Sequence, residues 1–325
     1  MKIESDPIFH QIESLVARIE PDLIALRRRI HEHPELAFEE HETARAVSDY
    51  LSALDIPHRT GVGKTGVVAM IEGGAAGQTV GVRADMDALP IEEASGVPFA
   101  SRVPGRMHAC GHDVHTTIAL GVAHVLAGAR ATLPGRVKLI FQPAEETLSG
   151  AAAMIADGVL DDPAMDAIIG FHNSPRLETG LLGYAEGTGH ASSAAFDIVL
   201  RGRAGHAAHP HTGVDAIVGA AQLVTQLQTI VSREIAPTVP AVVTIGQIAG
   251  GTARNVIADR VTIKGTARTR DALAEKRVEE ALRRGVAGVA ASLRLEFEID
   301  WVRQTPVMRS DARVVSRVAA GETPF

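Results

Sequence analysis

Short apolar runs alternate with helical patterns between residues 41 and 171, and this alternation constrains the fold more than any other feature of the sequence. The strand-like runs cover residues 66–71, 79–83, 137–141 and 167–171, and the helical patterns cover residues 41–53, 113–130 and 149–158. Strands that alternate with helices form α/β layers around a sheet with parallel strands. We therefore predict an α/β domain in which helices cover both faces of a mixed, largely parallel sheet. An earlier helical pattern contains Pro21 and predicts two helices or one kinked helix.

A different order of patterns follows in the second half of the chain. Strand-like residues 194–200 precede a helical pattern, two strand-like segments, a second helical pattern and a last strand-like segment, at residues 212–232, 241–248, 256–267, 271–292 and 293–299. This is the βαββαβ order of a ferredoxin-like domain. The sequence therefore predicts a smaller domain over residues 185–301, inserted into a larger domain formed by residues 1–184 and 302–325.

Composition and charge exclude several classes of partner. The 325-residue chain has a formal net charge of -7 and a pI of about 6.1. Its basic residues are scattered, apart from Arg27, Arg28 and Arg29, which we expect on a solvated helix face. Nucleic-acid-binding domains are typically basic, and a membrane span needs about 18 apolar residues, so neither partner is expected. The single cysteine, Cys110, and the absence of an apolar signal segment predict a cytoplasmic protein.

Polar clusters adjoin the strand-like runs of the larger domain. Cys110 and His112 precede a helix, whereas three clusters follow strands, namely Asp85 with Asp87, Glu145 with Glu146, and His172. Ligands bind at the carboxyl ends of strands in open α/β sheets. Thiolate and imidazole suit zinc and related metals, and of two adjacent carboxylates one can bind a metal while the other acts as a base. The clusters therefore predict one cleft that holds Cys, His, Glu and Asp side chains.

Six ordered segments resemble the aminoacylase and hippurate-hydrolase branch of the zinc-peptidase superfamily, which includes the auxin-conjugate amidohydrolases. The segments are HEHPELAFEE (31–40), RADMDALP (83–90), MHACGHD (107–113), FQPAEE (141–146), GHAAHPH (205–211) and GGTARNVI (250–257). The likeness begins near residue 23 and continues to the end of the chain. It implies a metal-dependent hydrolase that cleaves the amide bond of small N-acyl amino acids or short peptides.

The resemblance also implies roles for individual residues. Four residues would bind two divalent metal ions, either zinc or manganese, with nickel or cobalt as alternatives: Cys110, His112, Glu146 and His172. Glu145 would be the general base, and Asp87 would orient a metal ligand. From the smaller domain, His206 would stabilise the oxyanion, and Asn255 and Arg268 would hold the substrate carboxylate. The smaller domain itself would serve as a lid and as the interface of a homodimer.

The end of the chain carries a further expectation. Members of this branch continue with a segment that completes the catalytic sheet and adds one more metal-binding histidine. No histidine follows His211 here. We therefore expect the catalytic domain to lack its C-terminal part and this ligand, with His190, His209 and His211 as candidate substitutes.

Two other interpretations fit parts of the sequence. Cys110 with His112 or His115 would form the nucleophile and base of a cysteine hydrolase, which leaves the acidic clusters unused. Without the last ligand, the chain would instead be an inactive relative that binds a ligand or a partner. A nucleotide-binding interpretation of residues 61–65 fails, because His58 stands where the phosphate-binding pattern requires glycine.

Overall fold

A computed structural model describes residues 7–320 of the chain. Their contacts divide them into a first unit, residues 7–183, and a second unit, Tyr184–Ala320. Residues 302–320 were expected in the larger domain, but they belong to the second unit, because strands of that unit extend to Thr305 and Ser310. The remaining parts of the predicted larger domain, residues 1–6 and 321–325, lie outside the described residues.

The first unit is built around a five-stranded mixed sheet. Its elements are α1 (Pro7–Glu32), α2 (His41–Ala53), β1 (His58–Val62), β2 (Gly66–Glu72), β3 (Ala75–Asp85), α3 (His112–Gly128), β4 (Pro134–Gln142), α4 (Gly150–Ala156) and β5 (Ala167–Gly170). The strand order is β1-β2-β4-β3-β5, and only β2 runs against the other strands. The predicted α/β fold with a mixed sheet is confirmed. Because β3, β4 and β5 are parallel, Asp85, Gln142 and Gly170 end their strands at the same edge.

Apolar side chains on both faces of this sheet pack against helices. Successive side chains of a strand point to opposite faces. In β4, Leu139 therefore packs in a core with Leu51 of α2 and Leu120 of α3, whereas Ile140 packs in a second core with Met154 of α4. The alternation along β4 thus places helices on each face, as the sequence analysis expected.

Local hydrogen bonds explain where α2 begins. The carboxylate of Glu35 accepts the backbone N–H groups of Glu42 (3.0 Å) and Thr43 (2.9 Å). The first N–H groups of a helix have no partner within the helix, and a negative charge near them is favourable. Glu35 therefore fixes the start of α2 immediately after the segment that ends at Glu40.

The second unit contains the predicted βαββαβ arrangement. Its elements are β6 (Gly187–His190), β7 (Ser193–Arg201), β8 (Gly205–His206), α5 (Ala216–Thr229), β9 (Ala241–Gly250), β10 (Val256–Ile257), β11 (Arg260–Thr269), α6 (Ala272–Leu293), β12 (Glu296–Thr305), β13 (Met308–Ser310) and α7 (Ala312–Ala320). The four-stranded sheet has the order β12-β7-β11-β9, and every neighbouring pair is antiparallel. Leu200, Leu223 and Leu282, from β7, α5 and α6, meet in its core.

Several elements differ from the sequence-based expectation. Of the two alternatives for the first helical pattern, two helices or one kinked helix, two helices are not found, and α1 is a single helix that contains Pro21. The short strands β1, β6, β8 and β13 were not predicted, because two to five residues are too few to establish a periodic pattern. The predicted segment 256–267 is divided into β10 and β11. Within the described part of the chain, no helix combines the length and the apolar character that crossing a membrane requires.

Candidate functional site

Three of the four predicted metal ligands meet beside the edge where β3, β4 and β5 end. Gly111, with a φ angle of 82°, separates Cys110 from His112, which begins α3. The residues after β5 bring His172 to the same place, and its Nε2 atom lies 3.4 Å from the Cys110 Sγ atom. Ligand atoms of the three side chains all lie within 4.8 Å of one another.

Asp87 fixes the orientation of His112. The Nδ1 atom of His112 lies 2.8 Å from the backbone oxygen of Asp87 and 3.3 Å from its Oδ1 atom. An imidazole that donates from one nitrogen presents the other nitrogen as a ligand. Here the other nitrogen, Nε2, lies 3.9 Å from both Glu145 Oε2 and Glu146 Oε1.

The same carboxylate holds the turn that carries the two glutamates. Oδ1 of Asp87 accepts the backbone N–H of Glu145, and Oδ2 accepts that of Glu146, each at 3.0 Å. Asp87 therefore contacts a histidine from α3 and a turn after β4 simultaneously. Through these contacts His112, Glu145 and Glu146 form a second group of candidate ligands that overlaps the first at His112.

Asp85, at the end of β3, lies behind this cluster and is engaged on both oxygens. Its Oδ1 accepts a hydrogen bond from His115 Nδ1 at 2.6 Å, and its Oδ2 forms an ion pair with Arg83 at 2.7 Å. His115 Nε2 in turn accepts the backbone N–H of Asn173 at 2.9 Å, next to His172. Asp85, His112 and His115 form a third group that could hold an ion. Asp85 Oδ2 lies 3.6 Å from His112 Nε2 and, despite its ion pair with Arg83, has no hydrogen-bond partner.

The electrostatic surroundings favour positive charge at the cluster. Burial is the largest influence on the His112 pKa and lowers it, but hydrogen bonds with Asp87 and Cys110 and the charges of Asp85 and Asp87 raise the pKa to about 11. Burial raises the pKa of Glu145, and the charge of Asp85 raises it further, while His112 opposes both. The pocket therefore stabilises a cation and holds a carboxylate that takes up a proton more readily than usual.

Unpartnered polar atoms show that the cluster suits a metal ion. Among the described residues, His112 Nε2 and Glu146 Oε1 are buried and have no hydrogen-bond partner. Buried polar atoms without partners are costly and rare in folded proteins. A thiol, two imidazoles and carboxylates are the donors that zinc and related transition metals use. The residues present therefore fit a bound divalent transition metal.

The second unit holds the other predicted site residues. His206 ends β8, which pairs with β10, and Asn255 immediately precedes β10. The backbone oxygen of Asn255 accepts the N–H of Ala207 at 3.0 Å, so His206 and Asn255 lie on one small two-stranded sheet. Arg268 lies on β11, opposite Val242 of β9 in the larger sheet. These strands thus bring His206 close to Asn255 and place Arg268 on a separate sheet.

Three further residues support the first site. Asp85 was expected in the cleft and His115 only as the base of a cysteine hydrolase, whereas Asn173 was not expected there. These residues connect the ends of β3, α3 and β5. One signal was available for His115: residues three apart on a helix share a face, and His115 follows His112 by three. The participation of Asn173 depends on tertiary contact and has no local pattern.

Comparison with known proteins agrees with this geometry. Residues 81–321 match the model of peptidase family M20/M25/M40. The N-acetyl-L-cysteine deacetylase of Bacillus subtilis is 41% identical over 318 residues, which cover 98% of this chain and 74% of that protein. The N-acyl-L-amino acid amidohydrolase of Geobacillus stearothermophilus is 41% identical over 294 residues, which cover 90% of this chain and 79% of that protein.

A solved structure is also similar. The YXEP protein of Bacillus subtilis, described as a dinuclear metal binding peptidase from the M20 family, superposes with a TM-score of 0.81 and 38% sequence identity, over 95% of this chain and 79% of that chain. Since the family model covers most of the sequence, the chain belongs to peptidase family M20/M25/M40.

Proposed function

We propose that the chain hydrolyses the amide bond of N-acyl amino acids in a metal-dependent reaction. The observation that carries this proposal is the convergence of thiol, imidazole and carboxylate groups around His112, whose Nε2 atom is buried without a hydrogen-bond partner. The relatives named as an N-acetyl-L-cysteine deacetylase and an N-acyl-L-amino acid amidohydrolase support this substrate class. Short peptides form a second candidate class within the same chemistry.

Cys110, His112, Glu146 and His172 are the residues that would hold two divalent ions, with zinc and manganese as first candidates. Such ions lower the pKa of water and polarise carbonyl oxygens as Lewis acids. Asp87 orients His112 and fixes the backbone of Glu146, so that both side chains face the cluster. The dinuclear metal binding stated for the similar M20 structure supports the proposal of two bound ions.

Glu145 is our candidate for the general base. Its carboxylate lies 3.9 Å from His112 Nε2, at the margin of the cluster, and its side chain is 33% exposed. This position gives the carboxylate access both to the cluster and to an incoming substrate. We assign it the removal of a proton from the attacking water and the return of that proton to the leaving amine.

We propose further roles for residues of the second unit on the basis of the sequence resemblance. His206 would stabilise the oxyanion, and Asn255 and Arg268 would bind the substrate carboxylate, since amide and guanidinium groups are suitable donors for it. We also propose, from the sequence alone, that the chain forms a homodimer through the second unit and that it is located in the cytoplasm.

The proposal is tested by hydrolysis assays with purified protein. A panel of N-acetyl and N-benzoyl amino acids would be incubated with protein that has been stripped of metal and then reloaded with zinc or manganese. We expect turnover that requires metal and stops on addition of a chelator. Folded protein that binds metal but cleaves no member of the panel would refute the proposal and favour an inactive relative that binds a ligand.

Variants of the adjacent glutamates separate catalysis from metal binding. We expect Glu145→Gln to lower kcat by about 100-fold to 10,000-fold, the usual contribution of a general base, while the bound metal is retained. Glu146→Gln should lower both metal content and kcat, because it removes a ligand charge. Metal content measured by mass spectrometry alongside kcat distinguishes the two variants, and equal metal loss in both would contradict the assigned roles.

One observation favours a second candidate, a cysteine hydrolase. The 3.4 Å separation of Cys110 Sγ and His172 Nε2 is compatible with a thiol and its base. This alternative leaves the buried Glu146 oxygen without a partner. Turnover that survives complete chelation and stops on Cys110→Ser would select the cysteine mechanism.

A further inference from the structure

The turn that carries Glu145 has a strained backbone. Ala144 has a φ angle of 48° and Leu148 one of 56°, and both are non-glycine residues in the left-handed region. Such conformations are strained for residues other than glycine and persist only where the surroundings enforce them. The Ala144 conformation determines the direction in which the chain enters Glu145, so whatever enforces it also positions the Glu145 side chain.

Three consecutive backbone N–H groups of this turn are bound by two buried carboxylates. Asp87 accepts those of Glu145 and Glu146 at 3.0 Å, as described above. The N–H of Ala144 is accepted by Oε1 of Glu40 at 2.8 Å. Successive N–H groups near a left-handed residue form a concave anion-binding site, and here the protein fills that site with its own side chains. Glu40 is therefore the direct partner of the strained residue.

Burial of Glu40 is expensive and its charge is weakly compensated. The residue is 0% exposed. Among the ion pairs found in residues 7–320, none joins Glu40 to a basic side chain. Its stabilisation comes from hydrogen bonds with the N–H of Ala144, with the Thr65 hydroxyl at 2.5 Å and with the backbone of Phe38 and of Glu40 itself. A buried carboxylate without a cation costs several kcal/mol, so packing alone would favour an apolar residue at this position.

Thr65 connects Glu40 to a rigid part of the sheet. It precedes β2 in the tight β1–β2 turn, where Gly63 and Lys64 have φ angles of 63° and 81°. The N–H of Gly63 is held by the carboxylate of Asp157 at 2.7 Å. The β1–β2 turn thus presents the Thr65 hydroxyl in a fixed position, which orients the Glu40 carboxylate toward Ala144.

We propose that Glu40, oriented by Thr65, is a positioning residue that holds Ala144 in its left-handed conformation and thereby aims Glu145. This role deepens the proposed hydrolase function and rests on it. The Glu40 carboxylate contacts Ala144 N–H and the Thr65 hydroxyl, so its effect on Glu145 passes through the backbone of the turn.

The first test compares kinetic constants of Glu40→Ala, Glu40→Gln and the control Glu35→Ala. Glu35 also accepts backbone N–H groups, at the start of α2, but it does not touch the turn. We expect Glu40→Ala to lower kcat at least tenfold with KM within twofold of wild type. Glu40→Gln keeps an oxygen that accepts the Ala144 N–H, and its amide NH2 donates to the Thr65 hydroxyl in place of accepting from it, so this variant should stay within threefold of wild-type kcat. A loss in Glu40→Ala no larger than that in Glu35→Ala would overturn the proposal.

Two further variants distinguish positioning from general destabilisation. Glycine reaches a φ angle of 48° without steric cost. The double variant Glu40→Ala with Ala144→Gly should therefore have a kcat at least threefold higher than that of Glu40→Ala alone. Thr65→Val removes a donor from Glu40 but keeps the side-chain shape, and should lower kcat about threefold. These expectations apply at a temperature where melting curves show each variant folded. Failure of both the rescue and the Thr65→Val effect would contradict the proposal even if Glu40→Ala is impaired.

Hydrogen exchange tests the hydrogen bond between Glu40 and the Ala144 N–H independently of activity. In the wild-type protein the Ala144 N–H should exchange slowly, and Glu40→Ala should accelerate its exchange at least tenfold, whereas Glu35→Ala should not. If wild-type protein cleaves no substrate, the proposed function fails while this measurement still decides the structural role of Glu40. Unchanged exchange at Ala144 in Glu40→Ala would overturn the proposal.

Discussion

His31, in the last turn of α1, lies in a buried cluster of charges next to the candidate metal site. Its Nδ1 lies 2.8 Å from Asp113 Oδ2, and its Nε2 lies 3.2 Å from Glu93 Oε1. Arg27 reaches the same Asp113 oxygen at 2.6 Å. The expectation that Arg27 faces solvent was therefore wrong, because α1 turns this residue toward the start of α3. Of the three consecutive arginines of α1, Arg27 therefore does not lie on the solvated face of the helix.

The pH dependence of stability should reveal the His31 cluster. The hydrogen bond with Asp113 is the main cause of a His31 pKa above its usual 6.5, while burial and Arg27 oppose the increase. A base whose folded pKa is raised stabilises the fold fully below the unfolded pKa, and this contribution is lost as pH rises through the folded pKa. We therefore expect His31→Gln to cost about 3 kcal/mol at pH 6, and less at pH 9.

Urea unfolding at several pH values measures this difference. His10→Gln is a suitable control, because His10 lies on the same helix and its side chain is 66% exposed. Its effect should stay within about 0.5 kcal/mol at every pH. A cost of His31→Gln that is independent of pH would show that His31 is not protonated in the folded protein.

At the scale of elements, the connection between Cys110 and α3 depends on one glycine. A Cβ atom at Gly111 would lie 2.6 Å from Asn173 Nδ2, and the φ angle of 82° disfavours side chains in any case. Gly111 therefore permits the close approach between this connection and the segment that carries His172. The contact couples two segments that both supply candidate ligands.

We expect Gly111→Ala to lower metal affinity at least tenfold, because the new methyl group displaces Asn173 and with it His172. Gly96→Ala is the matched control, since Gly96 has a φ angle of 72° but nothing within 4 Å of its Cβ position. Both variants strain the backbone, by about 1–2 kcal/mol, and only the first meets Asn173. Metal titration by calorimetry measures the difference, and similar affinities in the two variants would rule out this coupling.

The ends of β3, β4 and β5 could be predicted from sequence, because local patterns of apolar and polar residues mark them. Apolar runs that end in polar residues located the Asp85, Gln142 and Gly170 ends, because parallel strands of one sheet end at one edge. The partner of Glu40 was not predictable, since Ala144 lies 104 positions away and backbone N–H groups leave no trace in sequence. Lys138 likewise gave no signal, although its buried Nζ donates to three backbone oxygens between residues 159 and 163.

On the scale of the whole molecule, the chain contains separate cores. The core of the second unit draws on residues between Ala194 and Trp301, whereas the cores of the first unit draw on residues between Leu26 and Phe171. A side chain in one core therefore contributes packing energy to its own unit. The order of helical and strand-like patterns along the sequence also changes near residue 185.

Thermal unfolding should show two transitions that respond to different substitutions. Leu139 and Leu200 are each 0% exposed, in the first and second unit respectively. Replacing either by alanine should destabilise its own unit by about 2–5 kcal/mol and leave the other transition in place. Added metal should raise only the transition that Leu139→Ala lowers, because ligands stabilise the unit that binds them. Scanning calorimetry checks both expectations, and a single transition shifted equally by both variants would contradict them.

The single cysteine gives the candidate metal centre a property that a site of histidines and carboxylates would lack. Cys110 is partly accessible and is the only thiol in the chain. Oxidation converts a thiolate first to a sulfenic acid and then, irreversibly, to sulfinic and sulfonic acids. With Cys110 as a ligand, exposure to peroxide would remove metal-binding capacity. The number of free thiols per chain then gives the fraction of molecules in a preparation that can still bind metal.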